Sequence, residues 1–184
     1  RVHPIITKGG YLVTSVPADV RIETYVRAKT MEAIEATHKK VDTALKAGGD
    51  AVGAQTVIAT MPGQLPLACN NRLNELFVTN AKIAEPNVAV KDAGHFSAST
   101  DMGDVSHLLP VIHPFIGGVD GFLHTADFHV VDFKHAVLLP AKAFAMMIID
   151  LLADDAELAR QIKAEHHPLL TKEEYIAKLD KYFQ

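Results

Sequence analysis

Hydrophobic positions alternate in the first part of the chain and recur at helical spacing further along. Arg1 to Lys8, with Val2, Ile5 and Ile6, predicts a strand closed by a Gly9-Gly10 turn. Tyr11 to Val16 predicts an extended piece that stops at Pro17. From Ala18 to Ala28 the alternation is clean. Val20, Ile22, Thr24 and Val26 point one way, and Arg21, Glu23, Tyr25 and Arg27 the other. That pattern predicts a strand with one buried face and one face that is wet or turned toward a site. Thr30 is placed to cap a helix running to about Lys46, with Met31, Ile34, Val41 and Leu45 on one face and Gly48-Gly49 as its stop. Gln55 to Met61 predicts another strand, ended by Pro62-Gly63. The first third therefore reads strand, strand, helix, strand: most of a small α+β sandwich, without its opening strand and helix.

The turn-rich stretch from Pro62 to Asn71 marks a domain boundary. Beyond it, Arg72 to Ala84 predicts a helix with Leu73, Leu76, Phe77 and Asn80 along one side. A loop of small and polar residues covers Asp92 to Gly103. Val111 to Ile116 predicts a short apolar strand ending at Gly117-Gly118, and Phe128 to Phe133 a further extended piece. A long apolar helix is expected over Ala136 to Ala153, where Pro140 is tolerable only near the first turn. Two polar helices follow, around Ala156 to His166 and Lys172 to Phe183. No internal repeat or low-complexity segment interrupts this order.

Composition narrows the function. The chain has 184 residues, 48% hydrophobic and 22% charged, with 11 Gly and 9 Pro. These values suit a folded globular chain of one average domain or two small ones, and exclude disorder and collagen-like repeats. A net charge of -4 and a pI near 6.2 give no reason to expect a nucleic-acid or membrane-surface partner. The most apolar stretch, Val137 to Leu152, contains Pro140, Lys142 and Asp150, and is read as a buried helix rather than a membrane span. The chain opens on Arg1 and strand-like residues with no secretory leader pattern, so it is expected to be entered mid-protein and cytoplasmic. One cysteine, Cys69, excludes a disulfide framework and a cysteine-rich zinc site. Ten histidines are the unusual count, since histidine is the commonest metal ligand and titrates near neutrality.

Two stretches concentrate reactive residue types. His95 to His107 holds Ser99, Thr100, Asp101, Asp104 and His107 in one loop-like window. Leu123-His124-Thr125-Ala126-Asp127-Phe128 follows the glycine-rich turn Gly117 to Gly121. Loops after strands are where α/β enzymes hold reactive groups, and a His with a nearby Asp suits a ligand or an oriented base. The simpler reading makes these residues turn formers and caps. Arg27 on the wet strand face is suited to a substrate carboxylate, or to a surface pair with Glu23. His38 is read as a packed histidine between Ile34 and Val41. His3 and His113 have no sequence-local partner, and His166-His167 sit at a helix end, where a cation suits the dipole. Phosphate-loop, dinucleotide, His-Glu-x-x-His and nucleophile-elbow motifs are all absent.

Several segments together carry a resemblance. Arg1-Val-His-Pro-Ile-Ile-Thr-Lys-Gly-Gly10, Val16-Pro17-Ala18 and Tyr25-Val26-Arg27-Ala28 resemble the lid domain of the M-twenty metallopeptidase family. Ser99-Thr-Asp-Met-Gly-Asp-Val-Ser106 and His124-Thr-Ala-Asp-Phe128 resemble two motifs of its catalytic domain. The branch it looks most like contains amidohydrolases related to aminobenzoyl-glutamate hydrolases and β-alanyl dipeptidases. The resemblance implies an α/β fold: part of a ferredoxin-like lid and dimerisation domain over residues 1–66, then the C-terminal half of a zinc-peptidase-like catalytic domain over 67–184. It implies that His124 ligates one of two zinc ions (Mn2+ or Co2+ being possible substitutes), that Arg27 binds the substrate carboxylate, and that Thr100 and Asp101 line the active-site floor. Thr14 stands where the family carries a substrate-contacting asparagine, and Asp127 where it carries glutamate.

The family's other metal ligands and its general-base glutamate find no match in the chain, so no catalytic residue is expected within it. The implied activity is that of the C-terminal portion of a homodimeric, zinc-dependent amidohydrolase or peptidase. Its substrate would be a small N-acyl amino acid, an aminobenzoyl-glutamate-like amide or a dipeptide bearing a carboxylate, with the isolated chain inactive. The alternative is a non-catalytic binding or dimerisation module. A third reading builds a different metal site from His95, Asp101, Asp104 and His107.

Overall fold

The computed structural model describes residues 1–92, 94 and 98–182. It is a mixed helix-and-sheet fold, with its strands in two separate two-stranded antiparallel sheets. The first sheet pairs β1 (Val2–Lys8) with β2 (Arg21–Val26), in a register that sets Val2 against Val26 and Ile6 against Ile22. Arg21 and Lys8, opposite one another after an irregularity at the end of β1, both reach Asp19 at 2.9 Å. Their hydrogen bonds, that of Arg21 first, hold the Asp19 carboxyl pKa at about 2. The β1–β2 connection turns at residues 11–16 instead of running extended there.

Helix α1 (Met31–Ala51) starts where Thr30 accepts a hydrogen bond from the Ala33 amide. It runs through Gly48 and Gly49, and the left-handed residue that follows is Gly53, at φ +69°. The two glycines weaken the helix without ending it, and the stop falls at the residue that takes the αL conformation. No α1 residue is buried, and the Val20–Ile22 side of β2 is about half exposed. A two-stranded ribbon with one helix beside it is too small to cover its own apolar side.

The core lies elsewhere. Helix α2 (Asn71–Ala84), capped by Asn70, packs Leu73, Phe77 and Ala81 against Ala143, Met147 and Ile162 of α4 (Leu139–Glu165). The Phe77 and Phe144 rings meet at 4.9 Å. Asn80 is buried, donating to the Leu76 carbonyl at 3.1 Å and to the Asp150 carboxylate at 2.7 Å. A π-helical turn, Lys134–Leu138, precedes α4, and the Leu139 amide donates to the Lys134 carbonyl five residues back. Pro140 in the first turn has no amide to offer, which favours this widened start.

Ala153 to Ala156 leave helical geometry, with left-handed backbone at Asp154, Asp155 and Ala156. This divides the apolar arm from the polar one at the place the sequence pattern puts the change. The apolar arm is not simply a buried helix, because Ile148, Ile149 and Leu152 on its other side are more than half exposed. By length and composition alone the helical run Lys134–Glu165 is long and apolar enough to cross a membrane; the core helix of a folded protein meets the same test.

Short α3 (Met102–Ser106) is tied to residues 64–68. The Ala68 amide donates to Ser106 Oγ at 3.0 Å, the His107 Nε2–H donates to the Pro66 carbonyl at 2.9 Å, and Gln64 donates to Asp101. Gly103 permits this closeness, since a Cβ there would meet the Leu65 carbonyl oxygen at 2.0 Å. A small hairpin joins β3 (Val119–Asp120) and β4 (His129–Val130), and α5 (Lys172–Asp180) closes the described chain with a Thr171/Glu174 capping box. The segments 55–61 and 111–116, expected as strands, have no regular secondary structure and form no ladder among the described residues. The strand expected over Phe128 to Phe133 is reduced to the two residues of β4, and the expected end of the last helix at Phe183 lies outside the described residues.

Candidate functional site

A cleft of about 1580 Å³ separates the end of β2 and the start of α1 from residues 64–71, 87–92, 113–118 and α5. Arg27 stands on one wall. Its backbone amide donates to the Arg1 carbonyl at 2.9 Å, which fixes it at the sheet's end, and its guanidinium lies 5.2 Å from the centre of the Tyr25 ring. Arg27 is half-buried, and no carboxylate pairs with it among the described residues, Glu23 included. Acidic side chains line the same cleft, with Glu32 and Glu35 on α1 and Asp92 opposite. The Glu32 carboxyl is held below its ordinary value by its own backbone amide and the Thr30 hydroxyl. Glu35 pairs with Lys178 of α5 at 3.3 Å, joining the two sides of the cleft.

Among the described residues three histidines line the cleft. His107 is structural: it is buried, and its ring is spent on the Pro66 carbonyl. His113 is half-buried, with Nδ1 3.4 Å from the Thr100 hydroxyl and its ring 5.5 Å from that of Phe115. His135 lies 2.6 Å through Nδ1 from Asp132 Oδ2, while Asp132 Oδ1 accepts the His135 backbone amide at 3.1 Å. The side-chain bond to His135, then the backbone one, holds the Asp132 carboxyl below its usual range. Sequence reasoning missed this pair. Its signal was an Asp three residues before a His at a helix start, the spacing of a capping residue.

The other residues singled out in the sequence lie around the cleft or away from it. Thr100 and Asp101 stand behind its lining, Thr100 against His113 and Asp101 against Gln64. Thr14 is exposed on the β1–β2 turn, in a separate shallow depression formed by residues 9–17. His124 is exposed at the tip of the β3–β4 hairpin, with left-handed backbone at φ +67°, a conformation histidine adopts more readily than most residues. Asp127 contacts the Thr125 hydroxyl rather than His124. The structure therefore brings Arg27 and the Thr100–His113 pair to one cleft and leaves His124 and Thr14 outside it. Among the described residues no group of three or more His, Cys, Asp or Glu is placed to hold a metal ion. The metal site read from His95, Asp101, Asp104 and His107 includes His95, which lies outside the described residues. Of its other members, Asp104 accepts from the Tyr175 hydroxyl and His107 is occupied as above.

No family model matches the chain. It is 30% identical over 166 residues to the Xaa-Arg dipeptidase of Mus musculus, an alignment covering 86% of this chain and 38% of that protein. Over 184 residues it is 26% identical to the Xaa-Arg dipeptidase of Homo sapiens, covering 96% of this chain and 42% of the relative. The chain is related to peptidases. It spans about two fifths of the length of the curated relatives it matches.

Proposed function

We propose that the chain forms the substrate-binding side of a dipeptidase, with Arg27 receiving the terminal carboxylate of the peptide. The observation that carries this reading is the half-buried Arg27 guanidinium on the cleft wall, without a carboxylate partner among the described residues. Its planar fork matches a carboxylate with two parallel hydrogen bonds. The names of the relatives supply the substrate class, a dipeptide ending in arginine. Glu32 and Asp92 on the same cleft are carboxylates for a cationic side chain, within a lining that also carries Lys29, Lys91 and Lys178. Thr100 serves the site through His113 and Asp101 through Gln64.

A catalytic zinc takes about three protein ligands. The described residues do not fit such a site by themselves. His124 supplies one imidazole of a site completed by residues outside these 184. A non-catalytic binding module is the second reading, favoured by His124 standing on an exposed turn with no second metal-ligating group placed beside it among the described residues.

Hydrolysis of glycyl-arginine by the full-length protein that carries this chain tests both readings. Arg27→Ala is expected to raise KM by roughly ten- to a hundredfold, the value of a lost charged hydrogen-bonded contact, with Arg27→Lys in between. His124→Ala is expected to abolish turnover and lower bound zinc. An unchanged KM in Arg27→Ala overturns the carboxylate role. Unchanged zinc and turnover in His124→Ala overturn the metal role, and no hydrolysis by the unmodified protein favours the binding module.

A further inference from the structure

Arg27 is held without being neutralised. Its guanidinium carbon lies over the Tyr25 ring, 5.2 Å from the ring centre, within the reach of a cation–π attraction. Backbone pairing fixes the two residues relative to one another. Tyr25 stands in register with His3 of β1, and the Arg27 amide continues the ladder by donating to the Arg1 carbonyl at 2.9 Å. Two positions apart on an extended chain, both side chains leave the same face of the sheet. Tyr25 is 66% exposed, so its ring adds little to any core. It does not line the cleft, whereas Arg27 does.

The chemistry of the ring decides what Arg27 can still do. A carboxylate in its place would take the N–H fork in two parallel hydrogen bonds and cancel the charge. Glu23, on the same face of β2, does not pair with Arg27. An aromatic ring attracts a cation through the negative face of its π-system and offers no lone pair. The guanidinium is therefore restrained, while its charge and its donors, unpaired among the described residues, remain available to a ligand. A free arginine gives up side-chain freedom when it grips a ligand; one already held gives up less.

We propose that Tyr25 is a positioning residue: its ring holds the Arg27 guanidinium at the cleft wall for the carboxylate of the ligand, and it acts on binding only through Arg27. This role rests on the carboxylate reading of Arg27 above, whereas the contact itself rests on the geometry of the two side chains.

The test uses the full-length protein that carries this chain and two readouts. The first is the 15N–1H signal of Arg27 Nε in ligand-free protein labelled with 15N-arginine, assigned by its loss in Arg27→Lys. The ring current of Tyr25 is expected to displace that signal. Tyr25→Thr, which keeps a good strand former and removes the ring, is expected to return it toward the position of a solvated arginine. Tyr25→Phe is expected to keep it displaced. The second readout is hydrolysis of glycyl-arginine, with Kd read in place of KM should the protein bind the dipeptide without turnover. Tyr25→Thr is expected to raise KM about two- to fivefold, the value of an exposed cation–π contact, with kcat unchanged. Tyr25→Phe is expected to restore the unmodified KM, and Tyr25→Thr in an Arg27→Ala background to add nothing. An Arg27 signal that Tyr25→Thr does not move overturns the contact. A moved signal with an unchanged KM overturns the positioning role, as does an equal rise in KM in the Arg27→Ala background. If Arg27→Ala itself leaves KM unchanged, or the protein neither cleaves nor binds glycyl-arginine, the carboxylate reading fails and the positioning role falls with it, while the signal still decides the contact.

Discussion

The β1–β2–α1 region and the α2–α4 pair use the same kinds of sequence pattern to different ends. In the second, the apolar stripe of one helix meets that of another, and Leu73, Phe77, Ala81, Ala143 and Met147 are removed from water. In the first, α1 has a comparable stripe yet buries no residue, and Ile5 and Ile6 are 60% and 70% exposed. Periodicity says which side of an element is apolar; burial requires a second surface of matching size. The first region is held mostly by its ladder, the second by packing.

That contrast can be broken at single residues. Phe77→Ala should cost about 3–5 kcal/mol of unfolding free energy, the usual penalty for emptying an aromatic core position, while Ile34→Ala on the half-buried face of α1 should cost about 1 kcal/mol or less. Urea unfolding followed by circular dichroism measures both, and equal losses would remove the distinction between the regions. Two left-handed glycines give a smaller, sharper comparison. Gly118→Ala should destabilise by about 1–3 kcal/mol from the backbone conformation alone, with its Cβ clash added. Gly53→Ala, with nothing within 4 Å of the new methyl, should show only about 1–2 kcal/mol of backbone cost.

The smallest effect is electrostatic. Because folding lowers the Asp19 pKa to about 2 from 3.8, its pairing with Arg21 and Lys8 is complete above the unfolded value and is lost as pH falls toward 2. The exposed pair is screened by solvent. Titrating the Asp19 carboxyl by NMR should therefore show a low midpoint, and amide signals of β1 and β2 should shift between pH 4 and 2 in the unmodified chain but not in Asp19→Asn.

The helices were legible because their signals are local. Thr30, Asn70 and Thr171 cap through their own side chains, and Leu73, Phe77 and Asn80 share a face at helical spacing. Extended segments were harder. Gln55 to Met61 and Val111 to Ile116 have strand-like composition, but a strand is defined by a partner row, and local composition does not say where that row is. The same limit applies to the site. Arg27 stood out on a wet strand face and does line the cleft, whereas the Asp132–His135 pair straddles the expected extended piece and the expected helix and belongs to neither pattern. His124 was singled out by motif, and its place at a hairpin tip depends on the left-handed residue that only the folded chain displays.

Asn80 has one further consequence. Its amide is 1% exposed and has a carboxylate to donate to because Asp150 stands opposite it on α4. If α2 slid by one turn along α4, Leu, Phe and Ala would still find greasy neighbours, but the amide would face a hydrocarbon wall and forfeit about 1–3 kcal/mol. Greasy contacts tolerate sliding; this polar pair does not. It acts as an index mark between two otherwise interchangeable apolar rails, selecting one alignment of the helices and, through it, the placement of the chain that α2 and α4 carry to either side of the cleft.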